Sequence, residues 1–154
     1  MKRIPTTKGK VAFVDDIDWK YLSKFKWCDS HGYASRKVRR CASGRVYMHW
    51  EIARHLGWIK GVDHINGDAY DNRRSNLREA SKRENNWNKG LAKNNTSGFK
   101  GVCYHVRKHR WVAYISSDRR RYNLGYYRTP EEAAYAYNVF AEMLFGEFAR
   151  LNKI

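Results

Sequence analysis

The chain has 154 residues, of which 42% are hydrophobic and 30% charged, and its formal net charge is +16. That length holds one ordinary domain or two small ones. No apolar run approaches the roughly 20 residues of a membrane helix, and no signal-peptide pattern follows Met1, so an intracellular, cytoplasmic protein without membrane association is expected. So large a basic excess makes a compact fold repel itself unless a polyanion offsets it, which makes nucleic acid the expected partner.

In chain order, Lys10-Val-Ala-Phe-Val14 predicts a short strand. Asp15 to Trp27 places Trp19, Leu22, Phe25 and Trp27 at the spacing of a short amphipathic turn or helix. Cys28, His31 and Cys41 lack regular zinc spacing and an obvious fourth ligand. The three cysteines include no C-x-x-C pair, so free thiols are expected rather than disulfides. Tyr33 to Val38 and Arg45 to Met48 predict a hairpin across an Ala-Ser-Gly turn. His49 to Leu56 predicts a helix stopped by Gly57.

Residues 61–88 are poor in large apolar side chains and rich in Asp, Asn and Arg. Asp63 and His64 end a short apolar start. Gly67-Asp68 and Asp71-Asn72 supply turn chemistry, Asn76-Leu77 re-enters a strand, and Ser81 can cap a helix through Asn88. Hydrolysing a phosphodiester needs a base for water, a cation for the phosphate charge, and something to hold the base. An imidazole with a pKa near 6.5 suits the first need, and His64 supplies one. Asp63 and Asn85 offer oxygen donors of the kind magnesium and manganese prefer.

The set Asp63-His64, Asn76-Leu77 and Asn85 resembles the HNH endonuclease motif, two strands and a helix around one metal ion. The resemblance implies that Asp63 and Asn85 bind a single magnesium or manganese ion, with Asn86 and Asn88 as alternatives for the second ligand. It also implies that His64 is the general base and that Asn76 braces the loop and orients His64. Asn at position 85 matches the subgroup typical of phage and homing nucleases. In-line attack by water, leaving a 3′ hydroxyl and a 5′ phosphate, follows from the same resemblance. Residues 1–56 are also similar to the N-terminal region of such proteins through Thr7-Lys-Gly-Lys10, Val14-Asp-Asp16, Phe25-Lys-Trp27 and Tyr47-Met-His49. Trp50 stands where relatives often carry Arg, with Arg54 one turn along.

Lys93-Asn-Asn-Thr-Ser-Gly98 is expected as a linker, dividing the chain into an HNH domain with a β-rich N-terminal extension (1–92) and a second domain (99–154). Both parts are basic, with 21 Lys and Arg against 10 Asp and Glu up to Asn95, and 10 against 5 beyond it. Phe99 to Tyr126 contains three strand-like runs. Alternation puts Trp111, Ala113 and Ile115 on one face, and Arg110, Val112, Tyr114 and Ser116 on an open one. A helix follows, with Thr129 as N-cap, Pro130 in its first turn, Glu132 closing a capping box and Gly146 at its end. Its packing face is expected to be Ala133, Tyr137, Phe140, Ala141 and Leu144.

Three strands and a helix with these signposts resemble the APETALA-class, ethylene-response-factor DNA-binding domain, which also occurs attached to HNH nucleases. By that resemblance Lys100, Cys103, His105, Arg110, Tyr114, Ser116, Arg121 and Asn123 line a duplex DNA face, with Arg107 and Arg119 as further cations. The fold class expected is therefore α+β: an HNH (ββα-metal) unit followed by a three-stranded antiparallel sheet packed on one helix. The function expected is a metal-dependent DNA endonuclease that acts as a monomer on double-stranded DNA. One metal site per chain implies nicking, with the sheet contributing target recognition. An inactive DNA-binding regulator of phage type is the alternative, and an RNA-binding protein chosen on charge alone is the third.

Overall fold

The computed structural model describes residues 1–38 and 44–154, and its architecture is α+β, as expected. It comprises two compact units, Met1–Asn85 and Asn86–Ile154. In the first, strands β1 (Lys2–Pro5) and β2 (Val11–Val14) form an antiparallel hairpin, followed by helix α1 (Asp16–Leu22). β1 had no sequence signal of its own, because among Lys-Arg-Ile-Pro only Ile4 faces the core. Strands β3 (Cys28–Ser30), β4 (Tyr33–Lys37) and β5 (Arg45–Tyr47) make an antiparallel sheet. Of the turn expected between β4 and β5, Ala42 and Ser43 lie outside the described residues, as does Cys41. Cys28 and Cys103 are free thiols.

Helix α2 (Met48–His55) ends at Gly57, whose φ of 73° suits glycine. Then β6 (Gly61–His64) and β7 (Leu77–Ala80) pair antiparallel, and helix α3 (Lys82–Trp87) follows. The core gathers Ile4, Ala12, Val14, Leu22, Trp27, Met48, Ile52, Val62 and Leu77. Trp27 is fully buried because its indole N–H donates to the Leu22 carbonyl at 2.8 Å. Trp19, expected on the apolar face of α1, is half exposed under the Lys2 ammonium. Asp18 is buried instead, because Arg74 grips both its oxygens at 2.7 and 2.8 Å.

That pair shows what the N-terminal hairpin and α1 do for the β6–β7 loop. Asp15 accepts the Arg74 backbone N–H at 2.8 Å. The Phe13 N–H donates to the Tyr70 carbonyl, and the Phe13 carbonyl accepts from the Asn72 N–H, both at 2.8 Å. The loop after His64 is thus clamped by backbone bonds from β2 rather than left to its turn residues.

In the second unit β8 (Val102–His105), β9 (Arg110–Ser117) and β10 (Arg120–Tyr127) form an antiparallel sheet with β9 central. Helix α4 (Pro130–Phe145) packs on one face. The expected capping box is formed: Thr129 Oγ1 accepts from the Glu132 N–H, and the Glu132 carboxylate accepts from the Thr129 N–H. The helix buries Ala133, Ala134, Tyr137, Ala141 and Phe145, whereas Phe140 and Leu144 are exposed. Ala134, rather than those two, joins Val102, Ala113 and Ala133 in the buried cluster. Gly101, at φ 75°, is required here, since a Cβ would stand 2.2 Å from the Tyr137 ring and 2.6 Å from the Tyr114 carbonyl oxygen.

The 93–98 segment, expected as a linker, is internally hydrogen-bonded. Asn95 donates to the Phe99 carbonyl and accepts from the Gly98 N–H, and Ser97 donates to the Val102 carbonyl, so it folds as a hydrogen-bonded turn of the second unit. The division falls earlier, inside α3, because Trp87 stacks on Phe145 at 4.6 Å.

Candidate active site

The β6–β7 register pairs Asp63 with Arg78 and His64 with Leu77. His64 therefore ends β6 at the mouth of the loop that returns to β7. It is 8% exposed, with the His49 ring edge-on at 5.1 Å and Tyr33 at 6.2 Å. Burial lowers its pKa from the usual 6.5, and the bond to Asn72 and the nearby carboxylates partly oppose this. The neutral imidazole, the form able to accept a proton, is favoured.

The contact with Asn72 bears on which nitrogen carries the hydrogen. His64 Nε2 lies 3.2 Å from Asn72 Oδ1. Asn72 is fully buried, and its Nδ2 donates to the Tyr70 carbonyl at 3.2 Å, which fixes the amide with its oxygen toward the ring. An acceptor there favours Nε2–H, the tautomer with its lone pair on Nδ1. Sequence reasoning had not placed Asn72 against His64. The Asp71-Asn72 pair signalled only turn chemistry.

Asn76, expected to orient His64, acts at one remove. It accepts from the Asn66 N–H at 3.0 Å and donates to Asn66 Oδ1 at 3.0 Å and the Asp71 carbonyl at 2.8 Å. These bonds tie it to the loop, and the residue that touches the ring is Asn72. Replacing Asn72 by alanine is expected to cost about 1–3 kcal/mol of stability, by leaving buried partners unsatisfied. It should also slow DNA cleavage without weakening DNA binding; a thermal melt and a plasmid assay read the two effects.

Asp63 is buried, and its Oδ2 accepts from Arg78 Nε at 2.9 Å and from a terminal nitrogen of the same guanidinium at 2.7 Å. Asn85 is exposed on α3, which begins with a second capping box, Ser81 with Glu84. Its Nδ2 donates to the Val62 carbonyl at 3.1 Å, bringing the amide to the residue beside Asp63. A carboxylate and a carboxamide are hard oxygen donors, and they fit magnesium or manganese rather than a thiolate-bound zinc. Among the described residues no group of three or more His, Cys, Asp and Glu is placed to hold an ion.

His49 is buried between Tyr33, Tyr47 and His64, and burial together with the His64 charge lowers its pKa to about 3. It is a neutral wall of the site. Trp50, next along α2, is exposed.

In the second unit the face of the sheet away from α4 brings together Cys103, His105, Arg110, Tyr114, Ser116, Arg121, Asn123 and Tyr126 by register. The Arg121 guanidinium lies 3.7 Å from the Tyr114 ring centroid, and Lys108 lies 3.9 Å from that of Tyr126. Asn123 donates to the Tyr126 hydroxyl at 3.2 Å. Arg107 sits in the short turn Val106–Lys108, and Arg119 at the tip of the β9–β10 hairpin at φ 62°. Two residues of this face differ from expectation. Val112 is completely buried, its two cross-strand partners being Cys103 and Tyr126. Lys100 turns inward and donates to the Trp87 and Lys89 carbonyls, where burial lowers its pKa to about 8.

A buried imidazole held by an amide, beside a carboxylate on a two-strand hairpin with a capped helix behind it, is the arrangement of a ββα nuclease. The HNH endonuclease family profile matches residues 48–87, and the AP2 domain profile matches residues 97–147. An uncharacterized HNH endonuclease of Acanthamoeba polyphaga mimivirus is 34% identical over 149 residues, covering 96% of this chain and 77% of its own. Protein 3.8 of Escherichia phage T7 is 34% identical over 89 residues, 58% of this chain and 73% of its own. No solved structure matches. The chain belongs to the HNH endonuclease family and carries an AP2 domain, so it is a nuclease and its partner is DNA. No helix among the described residues is long and apolar enough to cross a membrane.

Proposed function

We propose that this nuclease hydrolyses a phosphodiester bond of double-stranded DNA with one magnesium or manganese ion. It cuts one strand per binding event as a monomer on DNA, and the C-terminal sheet contributes target recognition. The observation that carries the reading is the Asn72–His64 bond, which favours Nε2–H and leaves the lone pair of the base on Nδ1. Asp63 and Asn85 would hold the ion, which supplies Lewis-acid neutralisation of charge on the phosphate and the leaving oxygen. His64 Nδ1 takes the proton of the attacking water, Asn72 keeps the ring in the right tautomer, and Asn76 keeps the loop beneath Asn72 in place.

Supercoiled plasmid incubated with protein and magnesium or manganese should give open circles first, with linear DNA appearing only later. Chelator should block both. Linear product from the outset would instead mean concerted cutting of both strands.

Recognition rests on the open face of the second sheet, a basic, aromatic surface that fits a duplex groove. Arg121 stacked on Tyr114 is a preformed pair on that face. Arg121→Ala is expected to weaken duplex binding by roughly 5–10-fold and, if the contact is to phosphate, to reduce the slope of log affinity on log salt by about 1. Fluorescence anisotropy over a salt series checks this. Unchanged affinity would place the DNA elsewhere.

A further inference from the structure

The carboxylate read as a metal ligand already holds a cation. Asp63 and Arg78 are direct cross-strand partners in β6 and β7, and the guanidinium donates twice to Asp63 Oδ2, at 2.9 and 2.7 Å. The side chains are 11% exposed for Arg78 and 5% for Asp63, so solvent screens the pair little. The register of the hairpin builds this contact in.

It changes the charge that a divalent ion would meet. The Asp63–Arg78 pair is neutral overall, and the Asn85 amide adds no charge. A dication entering this set gains one carboxylate but is repelled by the guanidinium on the same oxygen. A phosphate of bound DNA brings the negative charge that the protein withholds.

We propose that Arg78 is the counter-cation of the metal carboxylate, holding Asp63 oriented and keeping divalent-ion affinity low until DNA phosphate joins the site. The proposal rests on the reading of Asp63 as a metal ligand.

Manganese binding to DNA-free protein, followed by the paramagnetic resonance of free Mn²⁺, tests both without any turnover. Arg78→Gln removes the charge but keeps a donor, and should lower the dissociation constant about tenfold or more. Arg78→Lys keeps the charge and should stay within about threefold of the unaltered chain. Asp63→Asn should lose the binding. If Asp63→Asn loses it while Arg78→Gln binds no tighter, the role of Arg78 is overturned and the metal reading stands. If Asp63→Asn binds Mn²⁺ as before, both fall.

Should Arg78→Gln fail to fold, the unaltered chain carries the test. The Arg78 Nε–H resonance, reporting the 2.9 Å bond to Asp63, should shift in a magnesium titration with the midpoint of metal binding. A resonance that stays fixed through saturation overturns the proposal.

Discussion

Alanine at position 64 is expected to slow plasmid nicking by about 10²–10⁴-fold, the range a positioned general base contributes. Duplex binding should stay within about twofold, because the ring is buried and is not one of the exposed basic side chains. Two contacts make the loss specific to chemistry. Asn72 fixes the ring from one side through a bond that orders the tautomer, and His49 covers it edge-on from another. Single-turnover nicking at saturating protein measures the rate, and anisotropy with the same DNA measures binding. Parallel losses in rate and binding would point to a folding defect instead. A stability comparison of the two proteins separates that case.

The second large effect concerns what holds α2, and with it His49, against the sheet. Glu51 is 4% exposed and accepts from Arg36 at 2.6 Å and from the Tyr21 hydroxyl at 3.0 Å. The Arg36 guanidinium also lies 4.0 Å from the Phe25 ring centroid. One carboxylate therefore ties α2 to β4 and α1. Removing it leaves a largely buried guanidinium without its counter-charge, and breaking a buried pair in this way costs about 3–5 kcal/mol. Glu51→Ala is expected to lose that much in denaturant unfolding, with Glu51→Gln losing less because it retains an acceptor for Tyr21 and Arg36. The hydrogen bond to Tyr21 is also visible in that phenol, whose pKa is raised by burial and by Glu51. Equal stability of Glu51→Ala and the unaltered chain would show that apolar packing alone holds α2.

Much of this was legible from the residues. The α4 capping box, the Gly57 stop, the alternation of β9 and the Asp63-His64 placement at a strand end are local patterns, and local propensity and tertiary structure agree on them. What escaped was set by partners distant in the chain. β1 exists because β2 lies alongside it, not because Lys-Arg-Ile-Pro favours a strand. Asp18 is buried because Arg74 reaches it across the loop. Trp87 belongs with the second unit because Phe145 offers it a ring.

The site was legible in its residue types but not in its wiring. The resemblance to the HNH motif implied Asn76 as the residue that orients His64, whereas the loop turns so that Asn72 meets the imidazole and Asn76 supports the turn. Asp63 could be picked out as a carboxylate, but that Arg78 faces it follows only from the β6–β7 register. Lys100 was counted with the DNA face from strand position, and two carbonyls draw it inward.

Chemical rescue is the sharpest measurement of the claim that an unprotonated nitrogen at position 64 starts the reaction. With His64→Gly, manganese and supercoiled plasmid, added imidazole should restore nicking in proportion to its neutral fraction, and the same additive should leave the unaltered enzyme unchanged. Nicking by His64→Gly at the full rate without imidazole would contradict it.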